Sequence, residues 1–145
     1  MRGGMPVSNV ARFGVSMSET LLNQFDQLVH ARGYANRSEA IRDLIRDALV
    51  AREWEEGDGE VAGTITLVYD HHTAGLTDTL TELQHEYHDL IISTLHVHLD
   101  EHNCLETLIV RGSPREAKEL ADQLISLKGI VHGKLTVTST GRNLK

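Results

Sequence analysis

The chain has 145 residues, of which 40% are hydrophobic and 24% charged, a composition that suits one globular domain or two small ones. A single cysteine excludes an internal disulfide framework, and no apolar run is long enough to span a bilayer. The net charge of −7 hides a division: residues 1–52 carry seven arginines, no lysine and five acids, whereas 53–145 carry sixteen acids against seven Lys and Arg. Such asymmetry suggests a nucleic-acid end and a regulatory or ligand-binding end.

Residues 1–9 form an extension without a motif or a signal-peptide core, and the expected location is cytoplasmic. Arg2 in this extension is a candidate DNA contact. The segment VARFGVSM (10–17) alternates strictly. Ala11, Phe13, Val15 and Met17 would face one way, and Val10, Arg12, Gly14 and Ser16 the other, as in a half-buried strand. Ser18 is an N-cap for a helix with the apolar stripe Leu21, Leu22, Phe25, Leu28 and Val29, which stops at Gly33. Asn36 and Glu39 then have capping-box spacing. The helix they open carries Ala40, Ile41, Leu44, Ile45, Ala48 and Leu49 and runs to about Trp54. The acidic EEGDGE (55–60) reads as a linker, which gives an N-terminal domain of 10–54 and a C-terminal domain of 61–145.

Beyond the linker the order is strand (61–70), helix (within 75–91), strand (92–100), strand (104–112), helix (114–127) and strand (130–139). Six elements in βαββαβ order predict an α+β, ferredoxin-like sandwich with both helices on one face of an antiparallel sheet. The N-terminal segment needs a second copy. A lone strand has no ladder partner, and about fifty residues bury little surface. Two copies would pair their strands antiparallel over four helices.

Such a two-stranded ribbon fits the DNA major groove, with Arg12, Gly14 and Ser16 facing the bases. Arg12 can donate two hydrogen bonds to guanine, Ser16 can donate or accept, and Gly14 offers backbone and close approach. The first-turn N–H groups near Arg37 and Ser38 could hold a phosphate. In the acidic part, His96 and His98 share one face of a strand, and Cys104 returns beside them across a short turn. Two imidazoles and a thiolate suit late first-row metals. His85 and His88, at i and i+3 on the preceding helix, are sources of a fourth ligand. Three histidines and one thiolate allow tetrahedral zinc or square-planar Ni(II) or Cu(II), and ligand count does not choose. His71 and His72 end the first strand of this domain as a spare pair. No oxyanion hole or substrate loop accompanies Cys104, so no enzyme is expected.

The segments RFGVS (12–16), GYANRSEAIRDLI (33–45), LQHEYHD (83–89), TLHVHLDEHNCLE (94–106) and GIVHGKL (129–135) resemble the NikR nickel-responsive repressors from Arg12 onward. The resemblance implies a ribbon-helix-helix domain followed by an ACT-like domain, assembled as a dimer of dimers that binds Ni(II) and operator DNA and represses nickel uptake. It implies nickel ligation by His96, His98 and Cys104 of one subunit and His85 of a neighbour. Arg12, position 14 and Ser16 would read bases, although family members often carry a hydroxyl residue where Gly14 stands here. Glu39 and Asp43 match a second cation site, completed by carbonyls near Ile125, Leu127 and Ile130, while capping and ion pairing explain those two acids equally well. Two alternatives share parts of this pattern. A ribbon-helix-helix antitoxin would lack the complete sandwich. A regulator sensing zinc, copper or an amino acid through the ACT-like domain would keep the fold; an amino-acid sensor would not need His and Cys on one sheet face.

Overall fold

The computed structural model describes residues 9–145; Arg2 and the rest of the extension up to residue 8 lie outside the described residues. The chain forms two compact units, one ending at Arg42 and the other running Asp43–Lys145.

In the first unit, residues 9–18 form no ladder, where the alternation predicts a strand over 10–17. The reason is physical. A strand is completed by its partner, and among the described residues none pairs with this segment. Its apolar side is correspondingly uncovered, with Phe13 71% and Val15 63% exposed. Helix α1 (Glu19–Ala31) starts where Ser18 Oγ accepts the Leu21 N–H at 3.2 Å. It buries none of its residues. Helix α2 (Arg37–Glu56) opens as the capping spacing requires, with Asn36 Oδ1 accepting the Glu39 N–H at 3.0 Å. Between the helices, Gly33 takes the left-handed conformation, φ +73°, that glycine adopts at a helix exit without steric cost. The Arg37 guanidinium forks onto the Asp26 carboxylate at 2.7 and 2.8 Å.

The second unit contains the later turns of α2 and a four-stranded sheet with two helices. Its strands are β1 (Val61–Asp70), β2 (Ile91–His98), β3 (Asn103–Gly112) and β4 (Ile130–Thr138); its helices are α3 (Leu76–Glu86) and α4 (Pro114–Ile125). The order across the sheet is β2-β3-β1-β4, every neighbouring pair being antiparallel. This is the predicted βαββαβ sandwich. Helix α3 is shorter than the 75–91 window, because Tyr87 caps it. Helix α4 begins at Ser113–Pro114, where Ser113 Oγ accepts the Glu116 N–H and proline costs no intrahelical bond.

Strict alternation divides the sheet. In β1 every second residue from Val61 to Tyr69 is buried, and Val61, Ile65, Leu67 and Tyr69 pack with Leu80, Leu108, Leu120 and Leu124 in one core. The opposite face exposes Leu95, Val97 and Ile109. Trp54, near the end of α2, is 3% exposed and donates from Nε1 to Thr138 O at 2.8 Å. It lies against Gly63, where a Cβ would come within 3.3 Å of the indole and 2.8 Å of Thr136 O. Only a glycine fits there without displacing backbone.

Candidate functional site

The β2–β3 hairpin sets the site. Asp100 accepts the N–H groups of His102 and Asn103 at 2.8 and 2.7 Å, and its carboxylate also takes the Asn103 side-chain amide. These bonds hold its pKa down to about 2, the Asn103 amide first among the causes. The turn fixes the register, so that His98 stands opposite Cys104 and His96 opposite Glu106. Because alternation places Leu95 and Val97 on the other face, both imidazoles share the side of Cys104 and Glu106.

Cys104 is fully buried. Its Sγ lies 3.4 Å from His98 Nδ1 and 3.3 Å from His71 Nδ1. Burial first, and then the negative charges of Asp70, Glu106 and Asp100, push the thiol pKa up. Without a cation the sulfur is therefore a protonated thiol, and a metal must displace that proton to gain a thiolate.

His96 stands beside this group, its ring centroid 5.2 Å from that of His98. Its Nδ1 is 3.2 Å from Tyr69 Oη, and the Tyr69 hydroxyl donates to Glu106 Oε2 at 3.0 Å. Burial, followed by the Glu106 charge, raises the Tyr69 pKa far above its ordinary value, so the phenol keeps its proton. With its O–H engaged as a hydrogen-bond donor to Glu106, Tyr69 Oη accepts from His96 Nδ1–H. The tautomer is thereby set, and Nε2 is left with the lone pair a metal needs. Gln84 donates to Glu106 Oε1 at 3.2 Å and accepts from Thr94 at 3.1 Å, which connects α3 to the same network.

Of the expected ligands, the structure brings His98 and Cys104 together, with His96 one ring away. His85 projects from α3 into an open cleft of about 330 Å³ that it lines with His88, Gln84 and Glu106. The cleft lies on the helix-covered side of the sheet. His88 Nδ1 is 3.0 Å from His85 O, and its Nε2 is 3.2 Å from Asp89. Two nitrogen donors and a sulfur fit a late first-row divalent metal.

Sequence reasoning set His71 aside as half of a spare pair and did not find Tyr69 or Glu106. Their roles depend on the β1–β3 register, in which Tyr69 faces Cys104 and the His71 N–H continues the ladder to His102 O at 3.2 Å. The readable signal was the alternation of β1, which puts Tyr69 on the core face. His72 pairs with Asp70 instead, Nδ1 to Oδ1 at 3.2 Å.

In the first unit Arg12, Gly14 and Ser16 are exposed, and a Cβ on Gly14 would meet nothing within 4 Å. Arg37 is committed to Asp26, so a phosphate at this helix start would be met by the first-turn N–H groups of Arg37 and Ser38. On α2, Glu39 and Asp43 stand one turn apart, and Asp43 pairs with Arg46 at 3.0 Å. The ion-pair reading of Asp43 is thus realised.

Residues 62–138 match the family model described as the NikR C terminal nickel binding domain, and residues 11–52 match the ribbon-helix-helix protein, copG family. Relatives named as nickel-responsive regulators include one from Geobacter sulfurreducens, 63% identical over 92% of this chain and 96% of its own. Another, from Thermococcus onnurineus, is 59% identical over 93% and 98% of the two chains. A third, from Pyrococcus furiosus, is 56% identical over the same shares.

Proposed function

Since this chain belongs to the NikR family, we propose that it is a nickel-responsive, DNA-binding transcriptional regulator that represses nickel-uptake genes when Ni(II) is bound. The observation that carries the reading is the register pair His98–Cys104 with His96 on the same sheet face. His96, His98 and Cys104 hold the ion in one subunit, and His85 of a neighbouring subunit completes the set. When bound, nickel supplies a positive charge and coordination bonds that join two chains.

The protein's own groups do the rest. Tyr69 and Glu106 hold His96 in the tautomer that offers Nε2, and Asp100 locks the turn that sets Cys104 beside His98. Gln84 links the Glu106 carboxylate to α3, so order at the metal site extends to the helix that carries His85. Two features support assembly. Phe13, Val15 and Leu21 are exposed in the first unit, and Leu95, Val97 and Ile109 on the open sheet face. Full burial of such side chains is worth about 1.5–3 kcal/mol each. We assign the first set to the ribbon dimer and the second to a tetramer formed from two dimers. Arg12 and Ser16 then face the operator, with Gly14 allowing close approach. Control requires that nickel bind the DNA-competent arrangement more tightly than any other. A second cation held by Glu39 and Asp43 belongs to the same reading and would compete with Arg46 for Asp43.

A nickel titration of the purified protein tests the metal assignment. A thiolate-to-nickel charge-transfer band should rise, vanish in Cys104→Ala, and need more nickel as pH falls, because protons compete for the thiolate and imidazoles. A wild-type protein that binds nickel without such a band would overturn it.

A further inference from the structure

The last turn of α2 reads Glu53, Trp54, Glu55, Glu56, with three acids at the end where the helix dipole favours cations. Gly57, at φ +71°, closes the turn with an N–H to Glu53 O at 3.3 Å. The acidic 55–60 segment reads as a linker, yet the helix enters it. The cation that this turn lacks comes from α4, where Lys118 Nζ donates to Trp54 O at 2.6 Å. The indole of the same residue is buried in the core, its Nε1–H on Thr138 O. After β4 the chain returns along the helix. Asn143 donates to Glu53 Oε1 at 3.4 Å and Arg46 to Leu144 O at 3.3 Å, two points about two helical turns apart. Thus α4, β4 and the C-terminal segment all hold this helix end, and none of these groups belongs to the nickel ligand set.

We infer that Trp54 is a positioning residue, clamped by Lys118, that fixes the end of α2 to the metal-binding sheet, so that the DNA response to nickel passes through a rigid joint here and not through a flexible linker. The physical ground is continuity. One helix runs from Arg37, whose first turn would meet a phosphate, to Glu56. A helix carries a displacement along its length only if its far end is held; an end that swivels leaves the start free to reorient. Trp54 itself would touch neither metal nor DNA. The consequence for DNA rests on the nickel reading, whereas the docking of the helix end does not.

Trp54 is the only tryptophan, so its emission reports on the joint without a label. In the wild type the emission maximum should be that of a buried indole, shielded from acrylamide. It should stay so when Ni(II) and DNA upstream of nickel-uptake genes are added. Trp54→Phe removes the N–H donor and keeps an aromatic ring, and Lys118→Met removes the cation and keeps the stem. Both variants should retain the nickel–thiolate band at wild-type nickel concentrations and the metal-free DNA affinity. The nickel-induced gain in DNA affinity should fall from about tenfold or more to less than about threefold, and Lys118→Arg should restore it. Far-UV circular dichroism and oligomeric mass confirm that each variant is folded. A full nickel response in both Trp54→Phe and Lys118→Met would overturn the inference. So would an emission maximum that moves to that of a water-exposed indole on adding nickel or DNA. A wild-type protein whose DNA affinity ignores nickel would instead strike the nickel reading, and the emission would still decide the docking.

Discussion

At the scale of single residues, the site depends on groups that would touch no metal. Tyr69 has one hydroxyl proton; donating it to Glu106 obliges its oxygen to accept from His96, and this choice fixes which imidazole nitrogen is available. Replacing Tyr69 with Phe keeps the ring in the core and removes only the hydroxyl. Nickel affinity should fall about 10–100-fold, the usual effect of losing a hydrogen-bond partner of a ligand, with the thermal midpoint little changed. Isothermal titration beside a melting curve checks both, and unaltered affinity would remove Tyr69 from the site. Glu106 is the natural companion position, being 6% exposed and bonded by both Tyr69 and Gln84. Asp100 acts differently. Its carboxyl pKa is depressed, so its hold on the turn is present above the ordinary carboxylate range and lost only as pH falls towards about 2. Acid in the range where histidines protonate would therefore release metal with this turn intact.

At the scale of elements, much was legible because each boundary has a local cause. The alternation of 61–70, the caps at Ser18 and Asn36, and the helix start at Pro114 all appear in the structure where the sequence put them. Two things were not legible, for different reasons. The register of β1 on β3 is a long-range pairing that no local pattern encodes, and it decides that His71 reaches Cys104. Residues 10–17 have a strand's alternation without a strand's hydrogen bonds; the proposal takes their partner from another chain. The alternation nonetheless sets which side chains would meet DNA. Arg12→Ala should lose operator affinity, roughly 1–3 kcal/mol for each bidentate base contact removed, while retaining nickel and oligomeric mass. If this variant binds operator normally, the ribbon is not the reader or its register is shifted by one. A shift would put Phe13 in the groove and turn the apolar face to water.

At the scale of the whole molecule, the proposal links metal, assembly and DNA through a ligand contributed by a second chain. Mixing His85→Ala with Cys104→Ala, under conditions where mass spectrometry confirms subunit exchange, should restore one full nickel site at each mixed interface and with it part of the thiolate band. If His85 and Cys104 act within one chain, every chain lacks a ligand and the band stays absent. The most direct measurement of the central claim is the affinity of the protein for DNA upstream of nickel-uptake genes. It should be measured by fluorescence anisotropy at one fixed salt concentration, with and without stoichiometric Ni(II), for the wild type and Cys104→Ala. The account predicts that nickel tightens wild-type binding at least about tenfold, a coupling of about 1.4 kcal/mol within the range usual for linked sites, and leaves Cys104→Ala at its metal-free affinity. Equal wild-type affinity with and without nickel, or a nickel response preserved in Cys104→Ala, would contradict it.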